Sequence, residues 1–519
     1  MSPQPPALPK FFYAGVSGVL LALSFPRFGH PAIGWIALAP LMLALVSGQR
    51  RTALRESFLL GLTTGAIYFT GTLYWITRVM VVYGGLSSWA AVLVNAALIA
   101  YLALFPALFA VVVGRLAVAH GVRALVAAPL VWVATELGRT YLLTGFPWVL
   151  LGYSQATVIP IAQLASVFGV YGVSLLVAAV SAALATIGAG GNDAKAGRTF
   201  LPLAVIAIIT VTVWGSLRVS RGDLTHAGDP IRVGLVQGNV DQGEKWETAR
   251  AAAIFDRYIG MTRQAIGDGA GLVLWPESST PFMFEEDPVG AVRLRTLAQQ
   301  ARVPILFGSD QVIWKSQNGL RVADRMYNSA FLLRSDGTTP GIYRKLHLVP
   351  FGEYVPLRGL LFFAAPLVEA IGSGFAPGEQ ATALPLDGHS LSVAICYEVV
   401  YPDLVRRFVV SGSELLTTIT NDAWFGATSA PYQHFEQASM RAIEDGRYLV
   451  RAANTGVSGI VDPYGRVLAK TGIDEERIVV GDARFLRAST FYARHGDVLA
   501  YACVLVSVVL LALSRRRVQ

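Results

Sequence analysis

Three short stretches each read as a strand end that carries an ionisable side chain into polar or Gly/Pro-rich surroundings. They are "LVLWPESS" with Glu277, "YRKLHLVPFGEYVP" with Lys345 and Glu353, and "AICYEVVYPD" with Cys396 and Glu398. A thiol attacks a carbonyl carbon as its thiolate, and a free cysteine, with a pKa of about 8.5, is mostly protonated at neutral pH. A carboxylate can take that proton and a lysine can hold the anion that forms. Each residue also has a plain structural reading. A free cysteine commonly packs as a small hydrophobe, Glu277 after Trp-Pro could neighbour a helix N-cap, and Lys345 beside Arg344 could lie in a solvated basic patch. With only two cysteines, Cys396 and Cys503, the second in an apolar tail, a disulfide framework is disfavoured and Cys396 reads as a free thiol. His347 and His434 stand isolated, and no zinc-protease spacing of histidine and carboxylate occurs, so the pattern calls for no metal.

Elements must bring these groups together. In residues 229–485, "IRVGLVQG", "GLVLWPES", "VPILFGSD", "YNSAFLLRSDG", "LSVAICYE" and "ELLTTITND" read as strands bounded by Gly, Pro and Asp. Residues 247–266, 289–302 and 433–447 carry helical spacing. Strands alternating with helices over this length predict one α/β domain.

The rest of the chain is different. Hydrophobic residues make up 54% and charged residues 15% of the whole, with a mean hydropathy of +0.51, which points to several membrane spans. Candidate spans are 11–26, 31–47, 56–80, 87–113, 123–141, 160–188 and 200–219, with an eighth at 498–514. All but the two short N-terminal ones approach the ~20 residues needed to cross hydrocarbon. The expected organisation is an N-terminal helical domain over 1–225, an α/β domain over 229–485 and a final helix with a basic tail over 496–519. Arg50, Arg51 and Arg55, then Arg115 and Arg123, then Lys195 and Arg198, fall in alternate loops. The positive-inside rule therefore places both termini in the cytoplasm and the 229–485 segment outside. The net charge of +8, from 42 Lys+Arg against 34 Asp+Glu, reads as loop charge meeting anionic lipid, with no nucleic-acid partner.

Glu, Lys and Cys in this order, within "WPES", "RKLHLVPFGEYVP" and "CYE", resemble the nitrilase superfamily of carbon–nitrogen hydrolases. The resemblance covers about half the chain and implies an α-β-β-α sandwich. It also implies Glu277 as general base, Lys345 as stabiliser of the tetrahedral intermediate, Cys396 as nucleophile and Glu353 as a second acid near them. Together with the spans, "QGNVDQGEKW", "LVPFGEYVP", "CYEVVYPD" and "TNDAWFG" are similar to the apolipoprotein N-acyltransferase family of Gram-negative bacteria. That resemblance implies a phospholipid acyl donor, a diacylglyceryl apolipoprotein whose N-terminal cysteine amine accepts the chain, and a Cys396 thioester between them. No cofactor or metal is implied, and the expected location is the inner membrane with the α/β domain in the periplasm. Trp246, Tyr397 and Glu398 are implied as supporting residues, with Trp424 and Phe425 near the substrate. A plain reading pairs Glu398 with Arg406. The apolar stretch 357–375 reads as a lid with hinges at Gly372 and Gly374, or as a buried helix.

Three other readings share these residues. A membrane-tethered amidase would use the same triad with water as acceptor, but gains little from eight spans. A transporter with a binding cap would carry more intramembrane charge than Glu136, which has Arg139 one turn on as a plain partner. An inactive scaffold would have no need of an intact triad.

Overall fold

The computed structural model describes residues 9–47, 53–189, 194–245, 247–354 and 374–516. Trp246, Arg50, Arg51, Arg517 and residues 357–373 of the apolar stretch, Gly372 included, lie outside the described residues. The chain divides into two compact units. One comprises Met1–Arg78, Ser87–Arg221 and His495–Gln519, the other Val79–Leu86 and Gly222–Arg494.

The second unit contains two six-stranded sheets. In the first sheet the order is β12 (Arg477–Phe485), β1 (Asp229–Gln237), β2 (Leu272–Leu274), β3 (Ile305–Gln317), β4 (Leu320–Leu333) and β5 (Gly341–Arg344). In the second it is β11 (Val467–Lys470), β10 (Gly459–Val461), β9 (Leu449–Ala453), β8 (Leu415–Thr420), β7 (His389–Ile395) and β6 (Leu384–Leu386). Both sheets have the same plan: three parallel strands, β1-β2-β3 and β7-β8-β9, flanked by antiparallel ones. Parallel strands covered on both faces are buried along their whole length and read as near-continuous runs of apolar and β-branched residues. β2 and β8 are accordingly buried at every position.

Helices Thr248–Gly267 and Pro288–Ala301 follow β1 and β2, while Pro402–Val410 and Ala430–Asp445 follow β7 and β8. One core cluster packs Ile254, Phe255, Tyr258, Leu294 and Leu297 of the first helix pair against Val236, Val273, Trp275, Ile305 and Phe307. Trp275 is its centre, tilted against Tyr258 at 4.9 Å and donating its indole N–H to Thr262 Oγ1 at 2.7 Å. The sequence prediction of an α/β domain holds, and the helices at 247–266, 289–302 and 433–447 are present within a few residues.

The first unit is helical. Among its described residues Ser88–Val126, Ala165–Gly188 and Thr199–His226 (whose last residues run into the second unit) are long and apolar enough to cross a membrane, and Lys10–Ala22, Pro31–Val46 and Val498–Ser514 are shorter apolar helices. Helix Leu54–Leu73 lies close along Ser88–His120 because small residues line the seam. A Cβ on Gly61 would meet the Pro106 carbonyl oxygen at 2.3 Å, and one on Gly65 would meet Ala103 Cα at 2.7 Å. Small residues of this kind let helix backbones approach closely.

The expected Glu136–Arg139 pairing is replaced by main-chain contacts. Arg139 donates to the carbonyls of Phe146, Trp148 and Val149, at 2.6 Å for Trp148, and Glu136 accepts the Leu151 N–H at 2.6 Å. The segment after helix Ala128–Tyr141 leaves helical geometry, with positive φ at Leu143, Thr144 and Val149, and its buried carbonyls take donors from the Arg139 guanidinium and, at Val149, from the Tyr68 hydroxyl as well.

Candidate active site

The three residues proposed for chemistry all stand just past strand ends. Glu277 lies three residues after β2, Lys345 directly after β5, and Cys396 directly after β7, where it opens the short 3₁₀ turn Cys396–Val400. Glu277 is held close against β3, which is possible because residue 308 is glycine. A Cβ there would lie 2.7 Å from Glu277 Cα and 2.4 Å from the Ser278 nitrogen. Cys396 adopts φ +52°, in the left-handed region that costs a side-chain-bearing residue about 1–2 kcal/mol.

Glu277 and Lys345 form a buried ion pair. Lys345 Nζ lies 3.2 Å from Glu277 Oε1 and 2.9 Å from Glu353 Oε1, and the lysine side chain is only 1% exposed. Asn328 Nδ2 donates to both carboxylates, at 2.8 Å to Glu277 and 3.0 Å to Glu353. The Asn421 N–H donates to Glu277 Oε2 at 2.9 Å, and the Val349 N–H to Glu353 Oε2 at 2.8 Å. Burial by itself raises the Glu277 carboxyl, but Lys345, Asn328, Lys245 and the Asn421 N–H outweigh it and hold the group below the usual carboxylate range. Burial disfavours charge on Lys345 too, and the two carboxylates overcome that penalty and keep it an ammonium ion.

Cys396 is 7% exposed. Burial and then the Glu277 charge push its thiol well up, while Lys345 and Thr420 pull the other way. The resting state is therefore a neutral thiol in the field of a carboxylate and an ammonium. Such a thiol attacks only when the carboxylate removes its proton during the attack.

Glu398 is fully buried two residues on and fixes the turn. It accepts from the Ile395 N–H at 2.7 Å, Leu346 N–H at 2.6 Å, His347 N–H at 3.1 Å and the Tyr343 hydroxyl at 2.8 Å. Burial pushes its carboxyl up to about 7 against those donors. It thus ties the β7 end, which carries Cys396, to the segment after β5, which carries Lys345. The alternative pairing with Arg406 is overturned, because Arg406 engages Asp403 at 2.9 Å instead. Tyr397 is buried beside His347 and Tyr401, with ring centroids 5.9 and 5.2 Å away.

Trp424 and Phe425 close the turn after Asp422. Trp424 meets Tyr83 edge-on at 5.0 Å, and the Tyr83 hydroxyl donates to the Ala423 carbonyl at 2.9 Å. Phe425 stands edge-on to His434 at 6.1 Å.

Several residues of the site carry no functional signal in the sequence. Asn328 bridges both carboxylates but sits in a strand as an ordinary polar residue. Lys245, within the quoted "QGEKW", is 4% exposed and donates to the Glu277 carbonyl at 3.3 Å; burial brings its ammonium down to about 8. His434, read as isolated, is fully buried in a network with Asp422, Arg451 and the Cys396 carbonyl. "TNDAWFG" is the available signal for Asp422; Arg451, the third residue of the strand Leu449–Ala453, gives none.

Residues 17–183 match the family model described as the apolipoprotein N-acyltransferase N-terminal domain, and residues 232–489 match the carbon–nitrogen hydrolase model. The chain is 40% identical to the apolipoprotein N-acyltransferase of Geobacter metallireducens, over 98% of this chain and 96% of that one. It is 36% identical to that of Methylococcus capsulatus, over 92% and 91%. A solved amidase from Nesterenkonia sp. aligns with 50% of this chain and 93% of its own at 22% identity and a TM-score of 0.38. The two family models match successive parts of the chain, and relatives of one name cover nearly all of it: the chain is an enzyme belonging to the apolipoprotein N-acyltransferase family.

Proposed function

We propose that the chain transfers a fatty acyl group from a membrane phospholipid to the N-terminal cysteine amine of a diacylglyceryl apolipoprotein, with Cys396 as the acyl carrier. The observation that carries this reading is the buried Lys345–Glu277 pair at 3.2 Å, whose two charges both act on the Cys396 thiol. Glu277 takes the thiol proton as Sγ bonds to the ester carbonyl carbon. Lys345 and the N–H following Cys396 stabilise the oxyanion. The C–O bond then breaks, and Glu277 returns the proton to the departing lysophospholipid oxygen. In the second half the acceptor amine attacks the thioester, Glu277 takes a proton from it, and the thiol is regenerated. Thioester to amide is downhill, so the residues need no further energy source.

Glu353, Glu398 and Tyr397 support the triad in this reading, Trp424 and Phe425 contact substrate, and Trp246 belongs with them from resemblance alone. Residues 229–485 form the catalytic domain. Apolar helices precede and follow it in the chain, which favours a membrane anchor of about eight spans across 1–225 and 496–519, with the domain in the periplasm of a Gram-negative cell and both termini cytoplasmic. An ester of two long chains is itself a membrane component, so a nucleophile anchored at the bilayer meets it without extraction.

The test is the intact mass of the detergent-extracted protein, supplied with phospholipid and no acceptor, before and after hydroxylamine. A hydroxylamine-labile adduct of fatty-acyl mass on the wild type, absent from Cys396→Ala, is expected. Release of free fatty acid with no adduct would move the amidase reading ahead.

A further inference from the structure

Cys396 is held from both sides. Its preceding residue donates a main-chain N–H to Glu398, and its own carbonyl oxygen lies 3.1 Å from His434 Nε2. A carbonyl only accepts, so Nε2 carries the proton. His434 Nδ1 is then 3.0 Å from Arg451 Nη2 and 3.0 Å from Asp422 Oδ1. Arg451 can only donate, so Nδ1 accepts from it. A second proton on Nδ1 would face the guanidinium head-on and leave a net positive charge in a site with no solvent. Asp422 has its own partners, Arg451 at 2.9 Å and the Thr420 hydroxyl at 2.8 Å. Burial and Arg451 accordingly keep His434 below the usual imidazole range, with Asp422 opposing. His434, Asp422 and Arg451 are all fully buried.

The peptide between Cys396 and Tyr397 is trans, so its N–H points opposite to the carbonyl that His434 holds. His434 belongs to helix Ala430–Asp445, which packs against the Cys396 turn, while Glu277 and Lys345 come from the other sheet. A hydrogen bond accepted by a peptide carbonyl also polarises the same peptide's N–H.

We propose that His434 is a positioning residue: by holding the Cys396 carbonyl, backed by the Asp422–Arg451 pair, it fixes the plane of the Cys396–Tyr397 peptide and aims the Tyr397 N–H at the oxyanion of the acyl-transfer step. The proposal rests on Cys396 being the acyl carrier. It accounts for three buried polar residues that the triad does not use, and for how a left-handed cysteine is kept in place.

The test compares His434→Gln, which retains a side-chain N–H donor, with His434→Leu, which retains bulk without one. Thioester formation from phospholipid is followed by intact mass in the full-length, detergent-extracted protein, and the rate is measured against phospholipid concentration. His434→Leu is expected to slow acylation about 10²-fold, the scale of losing one oxyanion donor, through kcat and with the phospholipid KM unchanged. His434→Gln is expected to stay within about tenfold of wild type. Equal rates for the two variants, or a difference lying only in KM, would overturn the proposal. So would failure of both to fold, since the contact would then serve folding. If the wild type itself forms no thioester, the acyl-carrier reading is what fails.

Discussion

Each unit of the molecule buries an acidic and a basic side chain among apolar residues, and the two pairs are satisfied in opposite ways. In the α/β unit Lys345 lies 3.2 Å from Glu277, and both act on the thiol of Cys396. In the helical unit Glu136 and Arg139 face the main chain, accepting from Leu151 and donating to Phe146, Trp148 and Val149. Charge taken out of water must be compensated in both cases. A pair that compensates itself leaves its field available to a third group, whereas a pair spent on main-chain donors and acceptors fixes a loop. Burial of charge alone therefore does not mark a reactive site. What marks it is the identity of the partners.

The largest effect that can break this contrast comes from Glu277→Gln. The amide keeps the size and one acceptor oxygen but cannot take a proton, so the acylation rate should fall about 10³-fold. The phospholipid KM should stay near wild type, because the change affects proton transfer and not lipid contact. Burst kinetics of thioester formation would show it. A variant that acylates at the wild-type rate would make Glu277 a structural partner of Lys345, no different in kind from Glu136.

Arg139→Leu tests the other side. It takes the guanidinium donor from the Phe146 and Trp148 carbonyls, while Val149 keeps the Tyr68 hydroxyl, and should cost about 3 kcal/mol of stability. A lowered melting temperature in detergent should accompany nearly unchanged acylation per folded molecule. A tenfold loss of specific activity at an unchanged melting temperature would instead move Arg139 into the chemistry.

The same contrast explains what the sequence could reveal. Glu277 and Cys396 follow the apolar runs of β2 and β7, so a change of residue character along the chain exposes them, whereas Lys345 follows Arg344 and stands out only through the resemblance that groups the three. β9 does not read as a strand, because "LVRAA" has Arg451 at its centre and a charge there suggests a solvent-facing position. Its compensation by Asp422 at 2.9 Å comes from 29 positions away, and single-chain periodicity carries no such pairing. The long β3–β4 hairpin was only half seen for a related reason. Its outer half is exposed and mixes Lys315, Arg321 and Arg325 with Trp314, Leu320 and Val322 in no regular alternation, whereas its inner half is buried. Glu398 was placed in the site from resemblance, but its partners Tyr343 and the Leu346 and His347 amides lie about fifty residues earlier, so the nearer Arg406 was the more obvious choice. Glu136 and Arg139 mislead in the same way: residues three apart on a helix invite pairing, and the irregular segment that claims both is visible only in three dimensions.

Lys245 falls between the two cases and allows the smallest and sharpest test. It is buried at the proposed active site, yet it donates to the Glu277 main-chain carbonyl at 3.3 Å, as Arg139 does to its carbonyls. Burial lowers its ammonium to about 8, with Glu277 and Asp310 opposing the shift. In the unfolded chain a lysine titrates at about 10.4. Between those values the unfolded state holds a proton that the folded state has released, so stability rises with pH across that window. The penalty is fully present below about pH 8 and is relieved as pH rises through the folded pKa. Wild type should therefore gain about 1 kcal/mol on Lys245→Met between pH 8 and pH 9, within the limit of about 1.4 kcal/mol per pH unit for one proton. Melting temperatures of both proteins in the same detergent, subtracted at each pH, isolate this group from others that titrate nearby. A flat difference would mean that Lys245 keeps an ordinary pKa and stays solvated in the folded enzyme. It would then be a charge facing the substrate path, and the main-chain contact would no longer separate architecture from chemistry.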